Sequence, residues 1–283
     1  MSAPVPAAGV TGACDCHIHI YEEGAPLASG ATFKPPHAPL SAYRTVQRTL
    51  GLQRVVLVQP TGYGFDNAIL LAALAELGSA RARAVVVVPP QVRDVELEEL
   101  HAAGVRGIRY MMLAPGGGLL PWDTLETMAA RIAPLGWHIN LQLDGRELPR
   151  YIDRLERLPC KLVIDHIGKF LAPVLPENPC FQALLRVLGR EGRWVKLAAP
   201  YETSRLGPPG YDDVGLLAKA LVQSLPQHCL WATNWPHPNR QAPPRDADLL
   251  NLLSHWAPEA GVRDRILVDN PAQVYGFGAP GNG

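Results

Sequence analysis

The sequence predicts an α/β fold, a single-domain (β/α)8 TIM barrel, and three observations support this fold class. Eight short apolar runs recur along the 283 residues, amphipathic helical patterns lie between them, and proline-rich loops follow three of the runs. Strands that are buried on both faces read as continuous apolar runs, and eight of them alternating with helices match the usual size of this barrel. An open, doubly wound sheet is the alternative. The barrel should occupy residues 13–277, between an N-terminal extension (1–12) and a C-terminal tail (278–283).

The eight predicted strands are short and rich in apolar and β-branched residues. In chain order they cover residues 14–20, 54–60, 82–90, 105–113, 137–144, 161–167, 193–199 and 229–235. The predicted helices carry apolar residues at helical spacing and end near glycine or proline; they cover residues 66–78, 97–104, 122–136, 146–158, 180–189 and 212–225. Proline-rich loops follow the first, sixth and eighth strands at 25–39, 171–179 and 239–247, where a barrel carries its substrate loops.

Composition argues against two classes of partner. The 26 basic and 26 acidic residues balance, so nothing favours nucleic acid or an anionic membrane surface. No apolar run is long enough to span a membrane, and the N-terminus lacks a basic segment followed by an apolar stretch, so we expect a cytoplasmic protein. The five cysteines are scattered, which favours reduced thiols over disulfides. A homo-oligomer is compatible with the sequence.

A barrel places its chemistry at the carboxyl ends of the strands. The polar residues that interrupt the apolar runs fall near those ends, and they are Asp15, His17, His19, Gln59, Arg106, Arg109, Gln142, Asp144, Asp165, His166, Lys196, Asn234 and His237; for Arg106 a surface ion pair is the favoured interpretation. We therefore expect them to meet at one mouth of the barrel.

The motif "DCHIH" places two histidines at alternating positions of the first strand. Because alternate side chains of a strand point to the same face, His17 and His19 should reach one metal ion or one substrate, with Asp15 behind them on that face. A structural histidine pair is the competing interpretation. His166 at the end of another strand favours the functional one.

Six motifs in register resemble the amidohydrolase superfamily, in its branch of lactone-processing enzymes typified by 2-pyrone-4,6-dicarboxylate lactonase. They are "DCHIHI", "VLVQPTGYGFDN", "GVRGIR", "VIDHIGK", "YETSRLGPPGYDD" and "WATNWPHP". The resemblance implies a barrel enzyme whose histidines, here His17, His19 and His166, polarise a lactone carbonyl.

The resemblance also bears on metal binding. Metal-dependent members of the superfamily hold zinc with an H-x-H pair, a later histidine and an aspartate at the end of strand eight. In this chain Asn234 stands where that aspartate would be, and Gln142 lies on the strand that often supplies a bridging ligand. Since a neutral amide is a poor zinc ligand, we expect an enzyme that works without a metal, although three imidazoles leave zinc open.

Asn234 also raises the question of which group activates the attacking oxygen. An amide does not titrate in the useful range, whereas the strand-eight aspartate of the lactonases serves as the base. Either another group, such as His237 or Asp15, activates water, or a substrate hydroxyl attacks the carbonyl and the lactone isomerises. The second reaction is that of the galactarolactone isomerases, which the chain resembles in "DHIGKF", "PYETSR" and "TNWPH".

Two arginines predict a carboxylated substrate. Guanidinium groups bind carboxylates through paired hydrogen bonds, and Arg109 and Arg205 match positions where the lactonases hold their dicarboxylate. Tyr201, Gln59, Gln142 and Lys169 are weaker candidates for substrate binding, since each is equally suited to packing or bracing a loop. A lysine within an apolar strand needs a partner, and Asp165 is the candidate partner for Lys196.

The sequence thus predicts a hydrolase that opens a carboxylated lactone from sugar-acid or aromatic breakdown. His17, His19 and His166 would polarise the carbonyl, while Asn234 and His237 position the attacking oxygen. A lactone isomerase is the first alternative. A non-catalytic barrel that binds a sugar acid, and a zinc-dependent decarboxylase or deacylase, are two others.

Overall fold

The computed structural model describes residues 10–278, which form one parallel sheet of eight strands surrounded by helices. The strands follow one another in sequence order: β1 (Cys14–Ile18), β2 (Arg54–Val58), β3 (Ala82–Val86), β4 (Val105–Met111), β5 (His138–Gln142), β6 (Lys161–Ile164), β7 (Arg193–Leu197) and β8 (Cys229–Trp231). The segment after β8 closes the barrel against β1, because Ile18 bridges Trp235 and the His19 N–H donates to the Trp235 carbonyl at 2.8 Å. The predicted (β/α)8 barrel is confirmed.

The helices surround this sheet. They are α1 (Leu40–Leu50), α2 (Ala68–Leu77), α3 (Asp94–Ala103), α4 (Leu125–Ile132), α5 (Leu148–Glu156), α6 (Pro179–Leu188), α7 (Asp212–Ser224), α8 (Asp246–Trp256), α9 (Ala260–Asp264) and α10 (Asn270–Tyr275), with a π-helical turn, Arg265–Asp269, before the last. The six predicted helices are all present, and α1 and α8–α10 are additional to them. Most of the extension predicted at 1–12 and of the tail at 278–283 lies outside the described residues.

Several strands are shorter than predicted. The third ends at Val86 and not at residue 90, before the two prolines of its apolar run. The eighth ends at Trp231, and its continuation turns away at Asn234, whose φ of 63° is left-handed and incompatible with a strand. The polar residues predicted on the end of β8 therefore lie on an irregular segment at the mouth of the barrel.

Two apolar layers hold the barrel together. The larger one lies between the strands and the helices, and the smaller one fills the barrel interior with residues such as Cys14, Cys16, Val56 and Val163. Phe277, after α10, packs against this inner layer, and the guanidinium of Arg83 lies 4.7 Å from its ring centroid. Phe277 and buried arginines such as Arg83 thus cover the amino end of the barrel, which leaves chemistry to the carboxyl end.

Between residues 10 and 278 there is no helix with the length and apolar character that crossing a membrane requires. All five cysteines are free, as the sequence predicts, and four of them are buried.

Candidate active site

A β-bulge in β1 determines which of its side chains face the barrel interior. Asp15 pairs with Val55 and Ile18 pairs with Leu57, so β1 has one residue more than β2 between these pairs. The extra residue separates Asp15 from the face of the histidines. The prediction that Asp15 lies behind His17 on one face is therefore wrong, because it assumed unbroken alternation.

Asp15 instead fastens β1 to the segment after β8. Its carboxylate accepts hydrogen bonds from the Thr233 N–H at 3.0 Å and the Thr233 hydroxyl at 2.6 Å, and from the Tyr43 hydroxyl of α1 at 3.2 Å. Burial raises the pKa of Asp15 from 3.8 to about 6, although these bonds oppose the shift. With its oxygens engaged in this way, Asp15 is a structural brace and a poor candidate for the base.

A fully buried ion pair lies beneath the histidines. Lys196 Nζ is 3.1 Å from Asp165 Oδ1, as the sequence predicted, and it also donates to Asn140 Oδ1 at 2.5 Å. Asn140 Nδ2 in turn donates to Asp165 Oδ2 at 2.8 Å. Burial raises the pKa of Asp165, but Lys196 and His17 outweigh burial and hold that pKa well below its usual value. The carboxylate is therefore ionised at neutral pH, and it lies between Lys196 and Asn140.

This ion pair fixes the protons of His17 and His19. His17 Nδ1 lies 3.0 Å from Lys196 Nζ and 3.3 Å from Asp165 Oδ1. Because the ammonium is the nearer group and only donates, we assign Nδ1 as the acceptor. His17 Nε2 then carries the proton and faces His19 Nε2 at 3.3 Å, while His19 Nδ1 donates to the Val58 carbonyl at 2.7 Å. Burial and Lys196 lower the pKa of His17 well below 6.5, and burial and Arg109 lower that of His19 to about 3. Both imidazoles are neutral at physiological pH.

His166 completes a cluster of three imidazoles. It follows β6 in a left-handed conformation (φ 55°), and its ring centroid lies 5.1 Å from that of His17. Burial lowers its pKa to about 4 against the opposing charge of Glu202. Neither ring nitrogen forms a hydrogen bond with any residue between 10 and 278. Of the three, His166 is the imidazole with the most capacity to bind a substrate oxygen.

Arg109 is buried in β4 and is held by two residues that the sequence had assigned to substrate binding. It donates to the Gln59 carbonyl at 2.8 Å and to Gln142 Oε1 at 2.9 Å. Its Nε is buried without a hydrogen-bond partner among the described residues. Gln142 thus orients the guanidinium, and three of the five guanidinium N–H groups remain for a ligand.

Gln59 has a second task. Its Nε2 donates to the carbonyls of Gly64 and Asp66, at 3.3 Å and 2.6 Å, and so braces the loop between β2 and α2. Its Oε1 is buried without a partner in the described part of the chain. Gln59 therefore braces a loop, which is one of the two roles predicted for it. Its Oε1 remains available as a hydrogen-bond acceptor.

Asn234 lies between Tyr201, which the sequence predicted as a site residue, and Glu202, which it did not. Its Nδ2 donates to the Tyr201 hydroxyl at 2.9 Å and to Glu202 Oε1 at 3.3 Å. An amide oxygen in that place would face the Glu202 carboxylate, so the orientation of the amide is set by its neighbours. Asn234 Oδ1 is left buried and without a partner within residues 10–278.

His237 connects Tyr201 to the surface. Its Nδ1 lies 2.9 Å from the Tyr201 hydroxyl, and its Nε2 lies 3.0 Å from Asp246 Oδ1 at the start of α8. The structure therefore places Asn234, Tyr201 and His237 in one hydrogen-bonded row, as part of the predicted site.

Lys169 and Arg205 are placed differently. Lys169 forms an ion pair with Glu202, so its charge is already neutralised. Arg205 lies on the loop after β7 and is exposed; its backbone N–H donates to Asp213, and its side chain makes no polar contact with another described residue. Its predicted role in binding a carboxylate stays a prediction.

Three site residues were missed by sequence reasoning. Glu202 stood beside Tyr201 in the quoted "YETSR" motif, and its position after β7 was a usable signal. Asn140 alternates with Gln142 in "HINLQ", so its inward face was also readable. Asp246 lies in a helical turn nine residues beyond His237, and no local pattern indicates it.

These residues fit a zinc ion poorly. Ligand atoms of His17, Asp165 and His166 lie within 4.8 Å of one another, which is close enough to share an ion. However, the Asp165 carboxylate is engaged by Lys196 and Asn140, and the Lys196 ammonium already contacts His17. A dication there would find three neutral imidazoles, a neighbouring cation and, within residues 10–278, no free carboxylate.

Comparison with known proteins places this geometry in context. The family model described as Amidohydrolase matches residues 14–277. The chain is 35% identical to D-galactarolactone isomerase of Agrobacterium fabrum, over 93% of this chain and 91% of that protein. It is 34% identical to 2-pyrone-4,6-dicarboxylate hydrolase of Comamonas testosteroni, over 93% and 90%. A crystal structure of an Agrobacterium tumefaciens protein in its apo form superposes with a TM-score of 0.90 at 35% identity, covering 98% of this chain and 99% of that one.

Proposed function

This chain belongs to the amidohydrolase family, and from that premise we propose that it hydrolyses the ring ester of a carboxylated lactone without a metal ion. The observation that carries the proposal is the cluster of three neutral imidazoles beside the buried guanidinium of Arg109. Relatives that are named for a lactone and for a pyrone dicarboxylate support the substrate class.

The neutral imidazoles supply hydrogen-bond donors for the carbonyl oxygen. When water attacks a lactone carbonyl, negative charge develops on that oxygen, and fixed donors stabilise it most where water is excluded. His166 has both ring nitrogens free, and the His17 Nε2 proton can turn from His19 to the substrate. A neutral imidazole donates without the cost of burying an extra charge. The loss of one such donor typically lowers kcat by about 10²–10³.

Arg109 supplies the recognition of a carboxylate. It is held rigidly by Gln59 and Gln142, so its remaining N–H groups are oriented before a ligand arrives, which reduces the entropy cost of binding. Arg205 would add a second cation from the loop after β7 if the substrate is a dicarboxylate. The finer identity of the lactone depends on this pair.

Lactone isomerisation is the second candidate, and Asn234 favours it. An amide cannot take a proton from water, whereas its free Oδ1 can accept a hydrogen bond from a substrate hydroxyl and direct it at the carbonyl. The similarity to a galactarolactone isomerase points the same way. Hydrolysis remains the primary proposal, because the hydrogen-bonded pair of Tyr201 and His237 can take the proton in place of Asn234.

The test is turnover of matched lactones by chelator-treated protein, followed by NMR. The panel pairs five- and six-membered lactones with a ring carboxylate against the same rings without it. We expect the protein to open the rings of the carboxylated lactones. For the same rings without the carboxylate, kcat/KM should be at least about a hundredfold lower. A failure to turn over any member of the panel would refute the proposal.

We also expect a cytoplasmic protein whose partner is the small-molecule substrate, and these expectations stay predictions.

A further inference from the structure

Four side chains form a continuous hydrogen-bonded row from the mouth of the barrel to the surface. Asn234 Nδ2 donates to the Tyr201 hydroxyl at 2.9 Å, this hydroxyl lies 2.9 Å from His237 Nδ1, and His237 Nε2 lies 3.0 Å from Asp246 Oδ1. We call Tyr201, His237 and Asp246 the tyrosine relay. Tyr201 and His237 are buried, and the Asp246 side chain is 18% exposed.

The two terminal groups determine which atom donates in each hydrogen bond of this row. Because Asn234 donates to Tyr201, the Tyr201 hydroxyl must send its own proton to His237 Nδ1. His237 Nε2 therefore carries the ring proton and donates it to the Asp246 carboxylate. This is the arrangement in which an aspartate orients a histidine as a base toward a hydroxyl.

The backbone holds this arrangement at a cost. Asn234 and His237 both adopt left-handed conformations, with φ of 63° and 61°. Such residues cost of order 1 kcal/mol or more each, and they are retained where the surroundings or the function require them. Arg240 adds a further restraint, since its guanidinium lies 5.1 Å from the centroid of the Tyr201 ring and donates to the Tyr201 carbonyl. The relay is thus built by backbone and side chains together.

The outer end of the relay reaches solvent. His237 and Asp246 line a cavity of about 750 Å³ between the loop after β1 (33–38) and the loop after β8 (235–246). Half of the row therefore lies at the buried mouth and half at an open cavity. A proton that reaches His237 can exchange with water there and does not depend on an open active site.

We propose that Tyr201 takes the proton of the attacking oxygen while passing its own to His237, so that the tyrosine relay replaces the base that Asn234 cannot be. The inference rests on the proposed lactone chemistry. As the oxygen of water bonds to the carbonyl carbon, the π electrons of the carbonyl move to the carbonyl oxygen. His237 becomes an imidazolium, and the Asp246 carboxylate balances its charge. When the ring C–O bond breaks, the leaving oxygen takes a proton back from Tyr201, and His237 returns one to Tyr201.

The relay requires that Tyr201 act together with His237. Burial and the neighbouring Glu202 carboxylate raise the pKa of Tyr201 well above 10, so the hydroxyl remains protonated at neutral pH and is no standing base. It can accept a proton only as it releases one. Asn234 then has a positioning role, because its Nδ2 occupies one acceptor site of Tyr201 and its Oδ1 faces no protein donor among the described residues.

The experiment measures kcat and kcat/KM against pH for native protein, Y201F and D246N. Y201F should lower kcat by about 10² or more with little change in KM. D246N should lower kcat by at least about tenfold with little change in KM, because His237 loses the carboxylate that orients its ring and balances the imidazolium. The charged and titratable groups that face His237 or line its cavity are Tyr201, Asp246, Arg240, Lys34, His37 and, through Asn234, Glu202.

Y151F is the matched control, since Tyr151 stacks on Trp122 of the helical layer and lies outside the row. A second measurement needs no turnover: nitrogen-15 NMR of the native protein should show His237 with its proton on Nε2. If the native protein turns over lactones and Y201F has the same kcat, the relay is wrong but the proposed function stands. A proton on His237 Nδ1 would also contradict the relay alone. A native protein without lactone turnover would refute the proposed function, and the inference would fall with it.

Discussion

Lys196 and Asp165 form a fully buried ion pair, 3.1 Å apart, directly beneath the histidines of the candidate site. The pair does more than neutralise two charges. Lys196 also donates to His17 Nδ1, so it determines which nitrogen of His17 carries the proton. Stability and chemistry are therefore linked through one lysine.

Substitution of Lys196 should affect both properties. K196M leaves the Asp165 carboxylate buried without its partner, which should lower the free energy of unfolding by about 3–5 kcal/mol. It should also lower kcat, because His17 can then place its proton on Nδ1 toward Asp165. Urea unfolding and steady-state kinetics measure the two effects. K219M, at an exposed lysine of α7, is the control, and equal stability of K196M and K219M would contradict the account.

Acid should destabilise the protein through its buried histidines. Burial lowers the pKa of His19 and His138 to about 3 and that of His166 to about 4, whereas each titrates near 6.5 when unfolded. Below pH 6.5 the unfolded chain thus binds protons that the folded protein does not, and stability is lost as the pH falls toward 4. Asp15 has the opposite effect: with its pKa raised to about 6, it binds one proton in the folded protein that the unfolded chain does not bind near pH 5.

His17, whose pKa burial lowers well below 6.5, adds a fourth such proton. The net effect near pH 5 is therefore about three protons in favour of unfolding, or ~4 kcal/mol per pH unit. Urea unfolding at pH 7.5, 6 and 5 measures it. H255N, at an exposed histidine of α8, should leave the slope unchanged, and H166N should reduce it. An unfolding free energy that stays constant between pH 6.5 and pH 5 would show that these histidines are not buried in the neutral form.

Arg109 should govern substrate affinity. R109M removes the oriented guanidinium and should lower kcat/KM for a carboxylated lactone by about 10² or more. R109K should not restore it, since one ammonium cannot keep the fork geometry set by Gln59 and Gln142. R157M, at an exposed arginine after α5, serves as the control. If R109M changes kcat/KM equally for lactones with and without a carboxylate, Arg109 does not read the carboxylate.

Asn234 and Glu202 should behave as a coupled pair. N234D replaces the amide N–H that faces Glu202, 3.3 Å away, with a second carboxylate oxygen. Like charges at that distance raise the pKa of one carboxyl, so N234D alone should be less stable and at least about tenfold less active near pH 7. The double variant N234D/E202Q should regain the stability but not the activity, because the substituted carboxylate cannot donate to the Tyr201 hydroxyl. Urea unfolding and kcat/KM measure the two effects. A gain of hydrolysis in N234D alone would instead mean that Asn234 is the specialised residue of an isomerase.

Chelation should leave activity unchanged. Three neutral imidazoles, a neighbouring ammonium and an engaged carboxylate are a poor zinc site, so treatment with a chelator should change kcat by less than about twofold. Metal analysis of the same sample accompanies the kinetics. Loss of activity that added zinc restores would contradict the metal-free proposal.

The sequence predicted the barrel because each strand carries its own signal. Continuous apolar runs and helical spacing are local patterns, and eight of them leave few topologies. Strand ends were less predictable: β8 stops at Trp231 because Asn234 takes a left-handed conformation, and apolar residues such as Trp235 conceal this turn. Likewise, the bulge in β1 reversed the predicted face of Asp15, since no residue type in "DCHIH" marks it.

The site was predictable where a polar residue interrupts an apolar strand. This rule found the pairing of Lys196 with Asp165 and the cluster of His17, His19 and His166. It could not find Asp246, because the hydrogen bond to His237 depends on how the loop after β8 folds. It also could not separate Arg109, which is buried and oriented, from Arg205, which is exposed. Contacts made between distant loops are set by tertiary structure and leave no spacing to read.

The most direct test of the central claim is turnover of a carboxylated lactone in oxygen-18 water by chelator-treated protein. We expect an open-chain acid that carries one heavy oxygen in the newly formed carboxylate, because water is the attacking group. A rearranged lactone without label would contradict hydrolysis and identify an isomerase in which Asn234 directs a substrate hydroxyl.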